Sequence, residues 1–214
     1  MTDTYVLYAV PGWGSVLAEA MLTLCGAPIQ IEDVTGFEQP GPARDRLLAV
    51  NPLAQLPTLR LPSGAVLTES AAIALHLSER HPQAGLAPPP DAPDRPAFLH
   101  RLVWLVANVY PTFTYGDFPE RWTDAPDSLR TSTDAHRERL WRQFEADIAS
   151  HPFGPGPWVL GERFSALDVY VGAMTRWQPR RDWFAEHCPT LSAIAAKVDA
   201  LPTLAPVWAR NFPG

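Results

Sequence analysis

Cysteine is scarce in this chain: Cys25 and Cys188 are the only two in 214 residues. Two such distant thiols make neither a disulfide framework nor a metal-ligand cluster, and they fit a reducing compartment. The histidines, at 76, 81, 100, 136, 151 and 187, show no ligand spacing, so no metal site is expected. Long apolar runs are also lacking. No stretch is long enough to span a bilayer, and the opening MTDTYVLYAV has no basic region followed by an apolar core. The expectation is a cytoplasmic protein without a membrane partner. An excess of positive charge is absent too: 17 Lys and Arg stand against 23 Asp and Glu, a net charge of −6. That balance argues against nucleic acid as the main partner. The hydrophobic share of 46% with 19% charged residues is that of an ordinary globular chain. Its length suits one or two domains able to bury roughly 70% of the unfolded surface. Proline, by contrast, is plentiful, and its 24 copies gather in connections at 82–96 and 152–157, which they stiffen.

The most informative stretch is Asn51 to Leu77, NPLAQLPTLRLPSGAVLTESAAIALHL. Leu56, Leu59 and Leu61 with Thr58 and Arg60 read as a strand. Pro62-Ser63-Gly64 reads as a hairpin turn, Ala65 to Leu67 as a return strand, and Thr68 onward as a helix start. Pro57 stands at the strand entrance, a position suited to a cis peptide bond that leaves the N–H and C=O of Leu56 facing outward. An extended peptide can pair with such main chain as an added strand. Glu69 and Ser70 open a helix whose free N–H groups and dipole attract a carboxylate, while Glu69 suits an ammonium. A peptide with a free amino-acid head, such as glutathione, meets all of these groups.

The pattern NP-x-x-x-x-P-x-L, a turn, then L-x-E-S-x-A-I-x-x-x-L resembles the glutathione-binding half of the cytosolic glutathione transferases. It is carried by Asn51, Pro52, Pro57, Leu59, Leu67, Glu69, Ser70, Ala72, Ile73 and Leu77. The resemblance implies that Leu56 pairs with the cysteinyl backbone of glutathione beside Gln55, with Pro57 in cis, and that Glu69 and Ser70 grip the γ-glutamyl end. It further implies a thioredoxin-like domain over 1–81, a linker at 82–93, and an all-helical domain over 94–214 that supplies a hydrophobic pocket. A homodimer and a role in detoxification are implied likewise.

Residue patterning agrees with that order. Thr4 to Ala9 reads as a strand, Ser15 to Cys25 as a helix stopped by Gly26, Pro28 to Glu32 as a strand and Arg44 to Val50 as a short helix. Beyond the linker, Phe98, Leu102, Leu105 or Val106, and Val109 make one helical stripe, and Leu129, His136, Leu140, Phe144 and Ile148 another. Ser165 to Asp168 reads as a capping box, a structural role. Pro189 to Ala200 and Pro202 to Arg210 each begin with proline in a first helical turn.

A free thiol is mostly protonated at neutral pH, so a transferase needs donors aimed at the glutathione sulfur. In this fold they come from Tyr8 to Ser15, YAVPGWGS. Pro11-Gly12-x-x-Ser15-x-Leu17-Ala18 resembles the loop of the bacterial beta-type transferases, but their cysteine falls on Gly14. The hydroxyl of the serine-using classes falls on Gly12. Ser15, nearest the helix dipole, ranks first as the thiol-activating residue, Tyr8 second, and the N–H groups of Gly14 and Ser15 stand as a third possibility. Trp13, Tyr110 and Phe113 are expected to line the apolar pocket for a small hydrophobic electrophile; Trp177 either joins them or, the favoured reading, packs in the core. Cys25 reads as a small core residue. The function expected is conjugation of glutathione to such an electrophile. A glutathione-dependent isomerase or lyase, and a non-catalytic glutathione or hydrophobe binder or interaction module, are the alternatives.

Overall fold

A central strand should be apolar on both faces, and the five residues of β1, Tyr5–Ala9, are all buried. In the computed structural model, which describes residues 4–150 and 156–213, β1 pairs in parallel with β2 (Ile29–Asp33) and antiparallel with β3 (Thr58–Arg60). β3 in turn pairs antiparallel with β4 (Val66–Thr68), giving the order β2-β1-β3-β4. Helix α1 (Ser15–Leu24) joins β1 to β2 as the crossover that a parallel pair requires. α2 (Pro42–Leu48) lies between β2 and β3, and α3 (Ser70–Arg80) follows β4. This βαβα-ββα arrangement is thioredoxin-like, as the resemblance implied.

The chain separates into two compact units. One holds the residues up to Ala87 together with those from Val198 on; the other is Pro88–Lys197. The tail, ending in α10 (Ala205–Asn211), therefore packs within the first unit, against α1. α1 needs such cover, because its residues Ser15 to Leu22 are buried without interruption. An amphipathic surface helix would show a polar stripe there; one enclosed on all sides does not. On one face of the sheet Val6, Tyr8 and Val10 join Val34, Phe37, Leu47 and Ala54 in an apolar cluster. Leu7 and Ala9, fully buried, point the other way by the alternation of a strand.

The second unit is helical: α4 (Arg95–Trp104), α5 (Tyr110–Asp117), α6 (Pro126–Ala149), α7 (Ala166–Met174), α8 (Arg181–His187) and α9 (Pro189–Asp199). Phe98, Leu102, Leu105 and Val109 are all buried, as their spacing predicts. Pro111 has no N–H to donate, and between α4 and α5 the turn at Leu105–Val109 widens, so that the Tyr110 N–H reaches the Leu105 carbonyl. The stripe expected on α6 needs correction. Phe144 and Ile148 are buried, but His136 is exposed and Leu140 only half-buried; the face turns inward at Arg137 and Trp141 instead. An arginine can occupy such a place only if its donors are satisfied. Arg137 donates to the Thr112 hydroxyl (2.9 Å), the Thr112 carbonyl (2.8 Å) and Asp134 (2.9 Å), and lies 4.1 Å over the Phe113 ring. The capping box is present: the Ser165 hydroxyl accepts from the Leu167 N–H and Asp168 accepts from the Ser165 N–H. Of the loop expected at 152–157, residues 152–155 lie outside the described residues.

Candidate functional site

The loop before β3 is shaped by one side chain. Asn51, buried at 4% exposure, donates from Nδ2 to the Gln55 carbonyl (3.1 Å) and to the Thr58 hydroxyl (2.9 Å). Its Oδ1 accepts the Leu53 N–H at 3.1 Å. Thr58 closes the ring by donating to the Gln55 carbonyl at 2.7 Å. These bonds fix the residues on either side of Leu56, and Ala54 is held at a φ of +47° within them. The Leu56–Pro57 bond is cis, as expected for a proline at this strand entrance. Among the described residues, neither the N–H nor the C=O of Leu56 has a hydrogen-bond partner. Gln55 is exposed and Leu56 half-buried beside this open main chain.

The register of the hairpin brings the second group alongside. Thr58 pairs with Thr68 at the last rung of the β3–β4 ladder, so Leu56-Pro57 and Glu69-Ser70 flank the same end of the sheet. Glu69 lies at φ +63°, ψ 112°, a region that costs a non-glycine residue of order 1–3 kcal/mol and that clusters at functional sites. Its side chain is exposed and, among the described residues, makes no hydrogen bond or ion pair. Ser70, buried at 6%, begins α3, whose first N–H groups have no partner within the helix. Unpaired main chain, a helix start and a carboxylate thus meet at one corner of the sheet. That set can hold an extended peptide carrying both an ammonium and a carboxylate.

The residues ranked for thiol activation lie in β1 and in the loop from β1 into α1. The Ser15 hydroxyl is fully buried, donates to the Val10 carbonyl (3.1 Å) and accepts the Val10 N–H (3.2 Å). It closes the loop on itself and makes no helix-cap bond. Tyr8 is buried in the apolar cluster on the α2 side of the sheet. Trp13 packs on that cluster too, its ring edge-on to Phe37 at 5.3 Å. Among the described residues no acceptor faces the N–H groups of Gly14 and Ser15 at the start of α1.

In the second unit, Tyr110 and Phe113 come together with Trp177. Their ring centroids are 5.2–6.4 Å apart and all three contacts are edge-on. Trp177, for which a place with these aromatics or in the core was expected, is part of this aromatic group. Burial pushes the Cys25 thiol up to about 11 and that of Cys188 to about 12, so neither supplies a thiolate. Among the described residues no three His, Cys, Asp or Glu side chains gather as a metal site, and no helix is long and apolar enough to cross a membrane.

Sequence reasoning missed Glu19, Arg210 and Asn211. Glu19, 6% exposed on α1, accepts from Arg210 Nε (2.8 Å), from a terminal guanidinium nitrogen of the same arginine, and from Asn211 Nδ2 (2.8 Å). A single acid inside the apolar run SVLAEAMLTL is the signal that could have found it, since a buried carboxylate requires a partner.

Comparison with known proteins bears on the family and the fold. Residues 18–80 match the family model for the glutathione S-transferase N-terminal domain. The chain is 43% identical over 206 residues to YncG, an uncharacterised GST-like protein of Escherichia coli K12, covering 96% of this chain and 97% of that one. It is 25% identical over 171 residues to the glutathione S-transferase GstA of Escherichia coli O157:H7, covering 80% and 81%. A glutathione transferase homologue from Sulfitobacter, solved with bound glutathione, superposes with a TM-score of 0.82 at 25% identity, covering 96% and 97%. With a thioredoxin-like sheet, helices beyond it and a near full-length relative, the chain belongs to the cytosolic glutathione S-transferase family.

Proposed function

We propose that this protein binds glutathione at the corner formed by Gln55, Leu56, Pro57, Glu69 and Ser70, and transfers its thiolate to small hydrophobic electrophiles. The observation that carries the reading is the unpartnered N–H and C=O of Leu56, at the same end of the β3–β4 ladder as Glu69 and Ser70. The cysteinyl N–H and C=O of glutathione pair with Leu56, Gln55 flanks that backbone, Glu69 takes the γ-glutamyl ammonium and the start of α3 takes its carboxylate.

For the sulfur, the N–H groups of Gly14 and Ser15 are the favoured donors. They sit at the positive end of α1 and are uncommitted, whereas the Ser15 hydroxyl is engaged by Val10. The Tyr8 phenol is the second candidate. Hydrogen bonds to the sulfur favour the thiolate, and the thiol proton leaves to solvent. The thiolate then attacks the electrophilic carbon, forming a C–S bond as a leaving group departs with its electron pair. In an activated alkene, the π electrons instead shift to the neighbouring carbon, which is then protonated. The second unit offers Tyr110, Phe113 and Trp177 as an apolar, aromatic surface for that electrophile. Trp13 adds apolar surface on the first unit. Thiolate-based isomerisation or lyase chemistry would draw on the same donors.

A second reading has a specific observation behind it. Glycines occupy both positions where relatives keep sulfur-activating side chains, and the nearest hydroxyl is tied to Val10. On that reading the site binds glutathione without turning it over. One experiment separates the two: titrate glutathione into the protein, follow thiolate absorbance against pH, and run a conjugation assay with a chromogenic aryl halide. A lowered bound-thiol pKa with turnover supports the transferase. Binding with an ordinary thiol pKa and no turnover supports the binder, and absence of binding overturns both.

A further inference from the structure

The loop that faces the proposed sulfur position is held from two directions. From within, Ser15 bonds both polar groups of Val10. From the tail, Asn211 Oδ1 accepts the Gly12 N–H at 3.1 Å. Gly12, at φ +78°, comes so close to α10 that a Cβ there would lie 3.2 Å from the Asn211 carbonyl oxygen. The contact is therefore moulded to glycine as well as hydrogen-bonded.

The Asn211 amide has only one sensible orientation. Its Nδ2 faces two acceptors, the Glu19 carboxylate (2.8 Å) and the Val207 carbonyl (2.9 Å), so Oδ1 must face the Gly12 donor. Glu19 sits four residues after Ser15 on α1, on the same side of the helix. The guanidinium of Arg210 neutralises its buried charge. A chain of contacts thus runs from Glu19 through Asn211 to Gly12, and α1 anchors the loop twice, through Ser15 in its first turn and through Glu19 in its second.

Resting on the glutathione reading above, we propose that Asn211, oriented by Glu19, is a positioning residue that aims the Gly14 and Ser15 N–H groups at the glutathione sulfur. Two consequences follow from the geometry. The Gly12 N–H is committed to Asn211 and the Trp13 N–H to the Val10 carbonyl (3.2 Å), which leaves the Gly14 and Ser15 amides to meet the sulfur. The last helix of the chain is then part of the thiol-activating apparatus of the first unit, acting through the loop that it holds.

The test is the thiol titration of bound glutathione in the full-length wild type, Asn211→Ala, Asn211→Asp, and the double variant Glu19→Gln/Asn211→Asp. The wild type should hold the thiol well below its value in free glutathione. Asn211→Ala should raise the bound thiol by about one pH unit, about a tenfold loss of thiolate below both values, with Kd changed less than about threefold. A role confined to stability would lower the melting temperature without moving that titration. Asn211→Asp sets two carboxylates against each other and should be impaired similarly. In the double variant the new amide at position 19 donates to the new carboxylate at position 211, whose other oxygen still accepts from Gly12, so the titration should return towards wild type. An Asn211→Ala titration that matches a lowered wild-type value overturns the positioning role and leaves the glutathione reading intact. A wild type that does not lower the thiol overturns that reading and this one with it. If Asn211→Ala does not fold, the single and double aspartate variants decide: rescue supports the role, and equal titrations overturn it.

Discussion

Asn51→Ala examines the loop that presents Leu56. The side chain is buried and makes three hydrogen bonds, to the Gln55 carbonyl, the Thr58 hydroxyl and the Leu53 N–H. At a net ~1 kcal/mol each, their loss amounts to about 3 kcal/mol. Two considerations trim it. Thr58 and Gln55 keep the 2.7 Å bond between them, and Leu53 is 71% exposed, so water can take over its N–H. The expected cost is therefore about 2 kcal/mol, read by urea unfolding with circular dichroism. Binding should suffer as well, because glutathione must then order the loop itself. Each ~1.4 kcal/mol of ordering raises Kd about tenfold. Asn51→Asp sharpens the test. It keeps the acceptor for Leu53 but puts an oxygen against the Gln55 carbonyl, leaving charge without a donor, so it should cost more than alanine. An alanine variant within about 0.5 kcal/mol of wild type, or an aspartate variant more stable than alanine, would refute the reasoning.

Ser15→Ala removes two buried hydrogen bonds to Val10 and should lower stability by about 2 kcal/mol while the bound-thiol titration stays near wild type, since the Ser15 N–H remains. Unchanged stability with a lost thiol shift would assign activation to the hydroxyl instead. Burial raises the Asp168 carboxyl from its ordinary 3.8 to about 7, so the folded state binds the proton more tightly than the unfolded chain. Its contribution to stability is then present below pH ~4 and is lost as pH rises through 7, by at most about 4 kcal/mol. The stability gap between wild type and Asp168→Asn should accordingly narrow across that window in urea unfolding at stepped pH; a gap that widens contradicts the shift. Arg137→Met strips the donors from Thr112 and the cation from Phe113, and should cost about 3 kcal/mol and weaken the near-ultraviolet dichroism of the Tyr110, Phe113 and Trp177 group. Retention of both signals would show that the arginine is dispensable there.

The elements that could be read in advance are those with local rules. β1 is a run of β-formers, α1 ends at a glycine, and Ser165 to Asp168 carry a capping box whose spacing is its own signature. The hairpin and helix start were legible because Pro57, Gly64 and the Glu69-Ser70 pair each punctuate the backbone. What was not legible depended on partners outside the local pattern. Periodicity placed His136 and Leu140 on the inner face of α6, yet the site between Thr112, Phe113 and Asp134 suits a guanidinium, and the helix turns Arg137 inward. Ser15 ranked first for chemistry by its place near a helix start, but its hydroxyl finds Val10, five residues back, before any ligand. The tail's packing on α1 lies beyond any window of local sequence, because Glu19 and Arg210 are 191 residues apart.

Central to the account is that glutathione lies along Leu56 with its sulfur at the start of α1. An amide NMR titration with glutathione, following the N–H resonances of Leu56, Gly14 and Ser15, tests this most directly. All three should shift along one saturation curve, with the Ser70 amide moving in step. Shifts confined to other residues, or Leu56 moving while Gly14 and Ser15 stay fixed, would contradict it.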